Sequence, residues 1–219
     1  MKKTVEEHAE RFSELAAEYD DSQTPEYRAC ADLVVERANP GPADTVLDLG
    51  CGTGAIALAL ADDANRVLGR DIADGMLEQA RAKAEERGLT NVSFDYGEFR
   101  DPNVDEPVHV VTSNFALHHL SDDEKREAIE TVAALDGDTT PSRNDSVGPR
   151  RVVLGDVMFF EEPDPDEPFY SPEVDDPATV GTLVEQFTDA GYAVTNVDRV
   201  HDQVGVITAE RVVASGREE

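Results

Sequence analysis

Cysteine, lysine and tryptophan are scarce or missing in this chain, and so are long apolar segments. The 219 residues include two cysteines, Cys30 and Cys51, too few for a disulfide-stapled scaffold or a cysteine-rich metal site. We expect both thiols to be reduced and no metal to be bound. The apolar runs fall well short of the roughly 20 residues that cross a bilayer, and the acidic start after Lys3 lacks the apolar stretch of a signal peptide. These absences predict a cytoplasmic protein without membrane contact.

Basic side chains are also scarce, since 19 lysines and arginines stand against 48 acids and the formal net charge is -29. The acids are spread along the whole chain, a pattern typical of halophilic proteins, whose self-repulsion is screened by salt. We therefore predict a halophilic archaeon as the source. No basic patch with interleaved aromatics occurs, which argues against a nucleic-acid partner, although acidity shared by a whole proteome weakens that argument.

The order of apolar segments predicts an α/β fold. Apolar residues make up 39% of the chain, and the length suits one domain with a substantial core. Short apolar runs alternate with amphipathic stretches, which predicts a parallel sheet with helices on both faces. The predicted strands are 45–49, 66–72, 92–96, 108–113 and 152–158, and the helices are 4–19, 25–36, 55–61, 75–87, 122–135 and 177–190. Two final strands, 192–199 and 203–214, predict an antiparallel hairpin because so few residues separate them.

We predict a single domain, 1–219, in three parts: an N-terminal helical cap at 1–40, a core at 41–160 and a C-terminal part at 161–219. The C-terminal part begins with an acidic, proline-rich loop at 161–172, which is either a lid over a pocket or a solvated loop. Within the core, Ser121 precedes the helix at 122–135, and Glu124 stands where a capping box requires an acid.

Three glycines at alternate positions follow the first predicted strand. Gly50, Gly52 and Gly54 allow the chain to turn with positive φ and to bring bare backbone against a ligand. The helix that follows directs unpaired N–H groups into the turn, and Asp48 adds an acceptor. The spacing differs from the dinucleotide fingerprint because the third glycine comes one residue early. A turn that binds nothing is the structural alternative.

One acid lies at the end of the second predicted strand, and another follows the third. Asp71 lies about 20 residues beyond the glycine turn, where doubly wound folds place the acid that accepts hydrogen bonds from ribose hydroxyls. This spacing alone would suit NAD equally well. Ile72 adds an apolar surface beside it. After the third strand, Glu98 and the aromatic Phe99 form a second acceptor with an adjoining ring. A solvated loop acid is the alternative for Glu98.

The end of the fourth predicted strand carries the paired histidines His118 and His119. In open α/β sheets, ligands bind outside the carboxyl ends of the strands, so residues 113–119, including Asn114, should face a pocket. Histidine titrates near neutral pH and can accept a proton from a nucleophile, which makes both residues candidate catalytic groups. Packing of either ring at the junction between strand and helix is the alternative.

The glycine turn, D-x-G-x-G-x-G, and the segment S-N-F-A-L-H-H-L resemble the first and fourth motifs of class I S-adenosylmethionine-dependent methyltransferases. Asp71 and Glu98 stand between them in the matching order, so that the resemblance covers about residues 40–160. It implies a doubly wound, Rossmann-like sheet of seven mostly parallel strands with an antiparallel last strand, and S-adenosylmethionine as the cofactor. The turn would hold the methionyl end, Asp71 the ribose, and Glu98 the adenine.

The resemblance also implies a set of site residues. Tyr19 matches the end of an aromatic N-terminal segment that closes over the cofactor in the family, although an amphipathic helix packed on the domain would explain it equally well. Asn114, His118 and Tyr19 would line the face where the methyl group is transferred. The predicted cofactor-binding residues are Asp48, Gly50, Gly52, Gly54, Asp71, Ile72, Glu98, Phe99, Asn114 and Tyr19.

We therefore predict an enzyme that transfers a methyl group to a small-molecule acceptor by in-line displacement, for which proximity and orientation supply much of the acceleration. Ser113-Asn114-Phe115-Ala116 lacks the proline-rich corner of families that methylate nucleic-acid amino groups. Two rivals remain at this stage. One is a non-catalytic S-adenosylmethionine-binding regulator, and the other is an NAD-dependent oxidoreductase, which the glycine spacing disfavours.

Overall fold

A central sheet of eight strands organises the part of the chain that the computed structural model describes, residues 4–137, 148–162 and 169–212. The strands are β1 (Thr45–Leu49), β2 (Arg66–Asp71), β3 (Val92–Tyr96), β4 (Val110–Asn114), β5 (Arg151–Phe159), β6 (Ala178–Thr179), β7 (Tyr192–His201) and β8 (Val204–Arg211). Their order is β3-β2-β1-β4-β5-β8-β7, and the two-residue β6 pairs with β5.

The strand directions confirm the predicted fold class. Strands β1 to β5 are parallel, whereas β8 runs antiparallel to both of its neighbours, β5 and β7. The last strand is therefore inserted between β5 and β7, and the predicted terminal hairpin is present. The short β6 was not predicted. It replaces the expected start of the last helix, because Ala178 and Thr179 pair in parallel with Met158 and Phe159 before the helix begins.

Within the described ranges, six α-helices surround the sheet: α1 (Val5–Leu15), α2 (Pro25–Ala38), α3 (Ala55–Leu60), α4 (Asp74–Glu86), α5 (Asp122–Ala134) and α6 (Val180–Asp189). Side-chain caps set several of their starts. Ser121 and Glu124 form the predicted capping box of α5, and Thr4 forms another with Glu7 at α1. The prediction for α1 extended too far, since the helix ends at Leu15 and residues 16–22 form turns.

Two apolar cores lie on opposite faces of the sheet, which explains why β1 and β4 are buried at every position. One core contains side chains of α2, α3 and α4, including Val34, Ile56 and Leu77. The other contains side chains of α5 and α6, including Ile129 and Phe187. The carboxyl ends of β1, β2 and β4 meet at one edge, where the strand order changes direction at β1. A ligand site is therefore expected at this edge.

No helix among the described residues is both long enough and apolar enough to cross a membrane. The predicted loop at 161–172 and the predicted end of the last strand at 214 lie partly outside the described residues.

Candidate functional site

A cavity of about 680 Å³ opens at the carboxyl edge of the sheet, beneath α1. Its wall includes side chains from α1, from the loops after β1, β2 and β3, and from the segment after β4. Eight of the residues predicted from the sequence line this one cavity: Tyr19, Gly50, Asp71, Ile72, Glu98, Phe99, Asn114 and His119. Segments far apart in the chain thus converge at the topological switch point of the sheet.

The glycine turn lies between β1 and α3, and its backbone explains the residue type. Gly50, Gly52 and Gly54 have φ values of 66°, 52° and 86°, a region that disfavours side chains. A Cβ added at Gly50 would lie only 2.4 Å from the Cβ of Ala116, the residue two positions beyond β4. Only Gly50 of the three lines the cavity, so Gly52 and Gly54 shape the turn around it.

Substitution of Gly50 by alanine should lower the free energy of unfolding through two effects, the positive φ and a steric clash with Ala116. Gly88 is a matched control because its φ is 67° and a Cβ there would meet no atom within 4 Å. We expect Gly88→Ala to lose about 1 kcal/mol of unfolding free energy through the left-handed backbone. Gly50→Ala should lose a further 1–3 kcal/mol, roughly, through the clash with Ala116. Urea denaturation measures both losses, and equal losses would contradict the steric explanation.

Asp71 stands at the end of β2 and faces both the glycine turn and the cavity. Its Oδ2 accepts a hydrogen bond from the backbone N–H of Gly52 at 2.8 Å, and its Oδ1 accepts one from Ala73 at 2.9 Å. Burial raises the pKa of this carboxyl by more than these backbone donors lower it, so the net shift is upward. Each carboxylate oxygen has capacity for another donor. Asp71 can therefore hold the turn in place and still bind ligand hydroxyls.

Asp48 occupies a different position from the one its motif suggests. The side chain is 2% exposed and lies outside the set of cavity-lining residues. Its Oδ1 accepts a hydrogen bond from the Thr112 hydroxyl at 2.8 Å, whereas Oδ2 makes no hydrogen bond of normal geometry, although the backbone N–H of Ala57 is close enough to lower the pKa of the carboxyl. Burial raises the pKa of Asp48 to about 7. Any influence of Asp48 on a bound ligand therefore acts through its charge or through the turn.

The loop after β3 provides polar and aromatic groups at the other end of the cavity. The Tyr96 hydroxyl donates a hydrogen bond to Glu98 Oε1 at 2.6 Å, and Glu98 also exchanges backbone hydrogen bonds with Asp101. Phe99 lies beside Gly50, with its ring 3.8 Å from the position of an added Cβ. The predicted acid and ring therefore do lie on the cavity wall, and Glu98 is oriented by a neighbouring phenol.

The segment between α1 and α2 is tied to the glycine turn. Asp20 accepts hydrogen bonds from the Thr53 hydroxyl, at 2.6 Å, and from the ammonium group of Lys83. Tyr19 lies on the cavity wall and packs with Phe12 against Met76 of α4. The amphipathic face of α1 and the aromatic cover of the cavity are thus the same surface, so both interpretations of this segment describe one arrangement.

Asn114, the last residue of β4, carries an unsatisfied amide. The residue is 7% exposed, and neither Oδ1 nor Nδ2 makes a hydrogen bond of normal geometry. The amide is nevertheless close enough to the Tyr27 hydroxyl to lower the pKa of that phenol. The side chain also needs Gly155, because a Cβ there would lie 2.5 Å from Asn114 Oδ1. An unsatisfied buried amide on a cavity wall is a feature that a polar ligand would complete.

The two histidines are held in different environments by a one-turn 3-10 helix, Leu117–His119. His119 lines the cavity, and its Nδ1 lies 2.9 Å from Asp175 Oδ1. His118 is buried behind it, with Nδ1 hydrogen-bonded to Asp156 Oδ1 and its backbone N–H donating to Asp156 Oδ2. The ring centroids are 4.1 Å apart. Only His119 of the predicted pair therefore has direct access to a ligand.

The pKa values of the two imidazoles are shifted in opposite directions. For His118, burial lowers the pKa, but the Asp156 carboxylate raises it by more, so the net shift is upward. For His119, burial and the neighbouring His118 lower the pKa by more than Asp175 raises it. At neutral pH, His119 therefore presents a neutral ring to the cavity.

Asp156 and Asp175 were missed from the sequence. Asp156 could have been found, because an acid within the apolar strand β5 must be buried and paired. Asp175 gave no such signal, since it lies in an acidic stretch where neighbouring acids look alike. Lys125, also missed, is buried at the start of α5, where it donates hydrogen bonds to the carbonyl oxygens of Leu120 and Asp176 and so fixes the segment that carries Asp175.

Comparison with known proteins gives a consistent family assignment for the core. A family profile described as a methyltransferase domain matches residues 46–135. An uncharacterized methyltransferase of Oceanobacillus iheyensis is 30% identical, over 68% of this chain and 66% of that protein. One of Staphylococcus carnosus is 34% identical, over 58% of this chain and 61% of that protein. The nocamycin O-methyltransferase of Saccharothrix syringae is 36% identical, over 42% of this chain and 34% of that protein.

Solved structures extend the similarity over nearly the whole chain. The complex of DhpI with S-adenosylhomocysteine is 25% identical, with a TM-score of 0.70, and the match covers 94% of this chain and 96% of that one. The [4+2]-cyclase SpnF has a TM-score of 0.75 at 16% identity, over 97% and 98% of the two chains. At that identity the likeness concerns the fold alone. The matches to curated relatives are shorter, and reach 61% and 49% of the length of two bacterial methyltransferases.

Proposed function

This chain contains a class I S-adenosylmethionine-dependent methyltransferase domain, and on that premise we propose that it transfers the methyl group of S-adenosylmethionine to a small-molecule acceptor. The observation that carries the proposal is the convergence of Gly50, Asp71, Glu98 and Asn114 on one cavity at the switch point of the sheet. The proposal goes beyond the domain assignment in the identity of the acceptor and in the role of each residue.

The residues of the cavity suit the chemistry of this cofactor. Asp71 would bind the ribose hydroxyls, and Ile72, Glu98 and Phe99 would surround the adenine. The backbone of the glycine turn would hold the methionyl end. Among the described residues, the wall carries four carboxylates, those of Glu6, Asp71, Glu98 and Glu124, and one guanidinium, that of Arg100. This excess of negative charge favours a sulfonium cation, and the unsatisfied amide of Asn114 fits a polar ligand.

When bound, S-adenosylmethionine supplies an electrophilic methyl group, and the protein has to place a nucleophile in line with it. Tyr19, Asn114 and His119 would line the space where the acceptor approaches. Orientation of the acceptor in the cavity would provide much of the rate acceleration. We propose that His118 and His119 activate the acceptor, with His119 in contact with it and His118 behind.

Relatives support an acceptor of low molecular mass. The nocamycin O-methyltransferase and the aklanonic acid methyltransferase of a Streptomyces strain are both similar over part of this chain. The acidic composition gives no basic surface for a nucleic-acid backbone. We also propose the cytoplasm of a halophile as the site of action, because a net charge of -29 requires strong screening.

A regulator that only binds S-adenosylmethionine is the strongest competing function. In such a protein the cofactor would bind but its methyl group would stay in place. The glycine spacing continues to disfavour an NAD-dependent oxidoreductase.

Calorimetric titration in molar KCl tests the proposal at its first step. S-adenosylmethionine and S-adenosylhomocysteine should each bind one site with a Kd in the micromolar range, and NADH should not bind. The second step incubates the protein with methyl-labelled S-adenosylmethionine and a panel of phenols, hydroxy acids and amines. Incorporation of label into an acceptor supports methyl transfer. Tight binding without transfer to any acceptor would favour the regulator, and no binding by folded protein would refute the assignment.

A further inference from the structure

Three side chains at the rear of the cavity lie close enough to share one cation. His118, His119 and Asp175 each offer a ligand atom, and these three atoms lie within 4.8 Å of one another. Asp175 Oδ1 is 2.9 Å from His119 Nδ1 and 3.9 Å from His118 Nε2. Two atoms that bind the same metal at ordinary zinc–nitrogen distances are separated by about 3.0–3.4 Å. These two separations lie on either side of this range, and the third is at most 4.8 Å, so a shift of the side chains by about 1 Å would complete the site.

Apart from the hydrogen bond between His119 Nδ1 and Asp175 Oδ1, which metal binding would replace, the partners of these side chains leave the ligand atoms available. Asp156 can only accept hydrogen bonds when ionised, so the proton of neutral His118 is assigned to Nδ1, and the lone pair of Nε2 points towards Asp175. A carboxylate behind a ligating histidine is the usual outer-shell arrangement of metal sites, because it fixes the tautomer and orients the ring. The other oxygen of Asp175, Oδ2, accepts a hydrogen bond from the Ser171 backbone and leaves Oδ1 for the cluster.

The charge of the cluster also favours a cation. Two carboxylates, Asp156 and Asp175, face the two imidazoles in a largely buried setting. The nearest lysine is Lys125, and its ammonium group is already hydrogen-bonded to Leu120, Asp122 and Asp176. The two carboxylates would therefore attract a cation held by these side chains.

We propose that His118, His119 and Asp175 bind one divalent transition-metal ion, such as Zn²⁺ or Mn²⁺, at the wall of the cavity. Two imidazoles and one carboxylate suit first-row transition metals better than Mg²⁺ or Ca²⁺, which prefer oxygen ligands. The site contains no cysteine, so the cysteine count that led us to expect no metal does not bear on it. Three protein ligands leave coordination positions open towards the cavity, as in catalytic rather than structural metal sites.

The consequence for catalysis rests on the proposed function. A metal ion at this position would act as a Lewis acid on an acceptor hydroxyl and lower its pKa, so that the hydroxyl proton is released to solvent. The resulting oxygen anion would form the new O–CH₃ bond as the S–CH₃ bond breaks, and S-adenosylhomocysteine would leave as a neutral thioether. The acceptor class would thus be a phenol or another hydroxyl compound.

The test uses Co²⁺ as a spectroscopic probe on the full chain, after treatment with a chelator and in molar KCl. High salt screens the many surface carboxylates, so weak binding to them is suppressed. We expect one equivalent of Co²⁺ to bind with a Kd below about 10 μM, with visible d–d bands of a nitrogen–oxygen ligand set. Zn²⁺ should displace it with the same stoichiometry.

Variants separate the proposed site from adventitious binding. Asp175→Asn and His119→Ala should each weaken Co²⁺ binding at least 100-fold, and Asp156→Asn should weaken it about 10- to 100-fold through loss of the outer-shell carboxylate. His201→Ala is the control, because His201 packs against Phe169 away from the cluster and should leave binding unchanged. No Co²⁺ binding by the wild-type chain, or binding that survives Asp175→Asn, would overturn the proposal.

Parallel titration of each sample with S-adenosylmethionine distinguishes the two proposals. Asp175→Asn should still bind the cofactor, since Asp175 does not line the cavity, and retained binding also shows that the variant is folded. If the wild-type chain binds S-adenosylmethionine but not Co²⁺, only the metal proposal is refuted. If it binds Co²⁺ but not S-adenosylmethionine, only the proposed function is refuted.

Discussion

Asp71→Ala should reduce the affinity for S-adenosylmethionine by at least 100-fold. In the proposed complex, the carboxylate accepts hydrogen bonds from the two ribose hydroxyls, and hydrogen bonds to a charged group contribute about 1.5–3 kcal/mol each. The loss of both corresponds to about 3 kcal/mol or more, hence to a factor of 100 or more in Kd. Alanine also leaves the backbone N–H groups of Gly52 and Ala73 without their acceptor, so the turn itself would become less ordered.

A second variant and a control separate binding from folding. Asp71→Asn keeps the size of the side chain, but its NH₂ group faces a backbone donor where an acceptor is needed, so we expect an intermediate loss of affinity. Asp95→Asn on the neighbouring strand removes an exposed acid that pairs with Arg70, and should leave the Kd within a factor of two. Calorimetry gives the affinities, and circular dichroism verifies the fold. A folded Asp71→Ala variant with wild-type affinity would refute the ribose assignment.

The sheet was predictable because its strands form short apolar runs, and the central strands β1 and β4 are buried at every position. Parallel strands covered by helices must be apolar along their whole length, and such runs stand out even in a chain with 48 acids. The bounds of β1 and β3 and the capping box of α5 were therefore correct. The predicted helix bounds were wrong where tertiary contacts determine the end of a helix. The end of α1 at Leu15 depends on its packing against α4, where the Ser13 hydroxyl accepts a hydrogen bond from Gly75.

The candidate site was predictable to the extent that it depends on the strand ends. Four of the site residues end or follow four different strands: Gly50, Asp71, Glu98 and Asn114. The topology alone brings such residues to one edge of the sheet. Distances within that edge depend on side-chain packing, which spacing does not encode. The sequence therefore treated His118 and His119 as equivalent, whereas the fold buries one against Asp156 and exposes the other beside Asp175.

The buried carboxyl of Asp48 makes the stability of the protein depend on pH. A carboxyl that is buried without a countercharge favours its protonated form, and its pKa accordingly rises to about 7 from the model-peptide value of 3.8. The folded state therefore binds a proton that the unfolded state has released, throughout the interval from about pH 4 to pH 7. Stability from this group is fully present below pH 4 and is lost as the pH rises through 7, by about 4 kcal/mol in total at 1.36 kcal/mol per pKa unit.

Asp48→Asn should therefore make the protein more stable at high pH and much less sensitive to pH. We expect wild type and variant to have similar unfolding free energies near pH 4, and the variant to gain up to about 4 kcal/mol by pH 8, because the amide has no proton to lose. Urea denaturation in molar KCl at pH 4.5, 6 and 8 measures this difference, and the other titrating acids cancel between the two proteins.

Asp44→Asn provides a control with the opposite sign. Burial raises the pKa of Asp44, but the hydrogen bonds from Arg150 and Gly41 lower it by more, so its folded pKa lies below the usual value. Its contribution to stability is present above pH 4 and is lost as the pH falls, so Asp44→Asn should be destabilising at pH 8. Parallel pH profiles for wild type and Asp48→Asn would show that Asp48 is ionised in the folded protein throughout. Weaker binding of S-adenosylmethionine by the more stable Asp48→Asn variant would show that the buried charge is kept for the cationic cofactor.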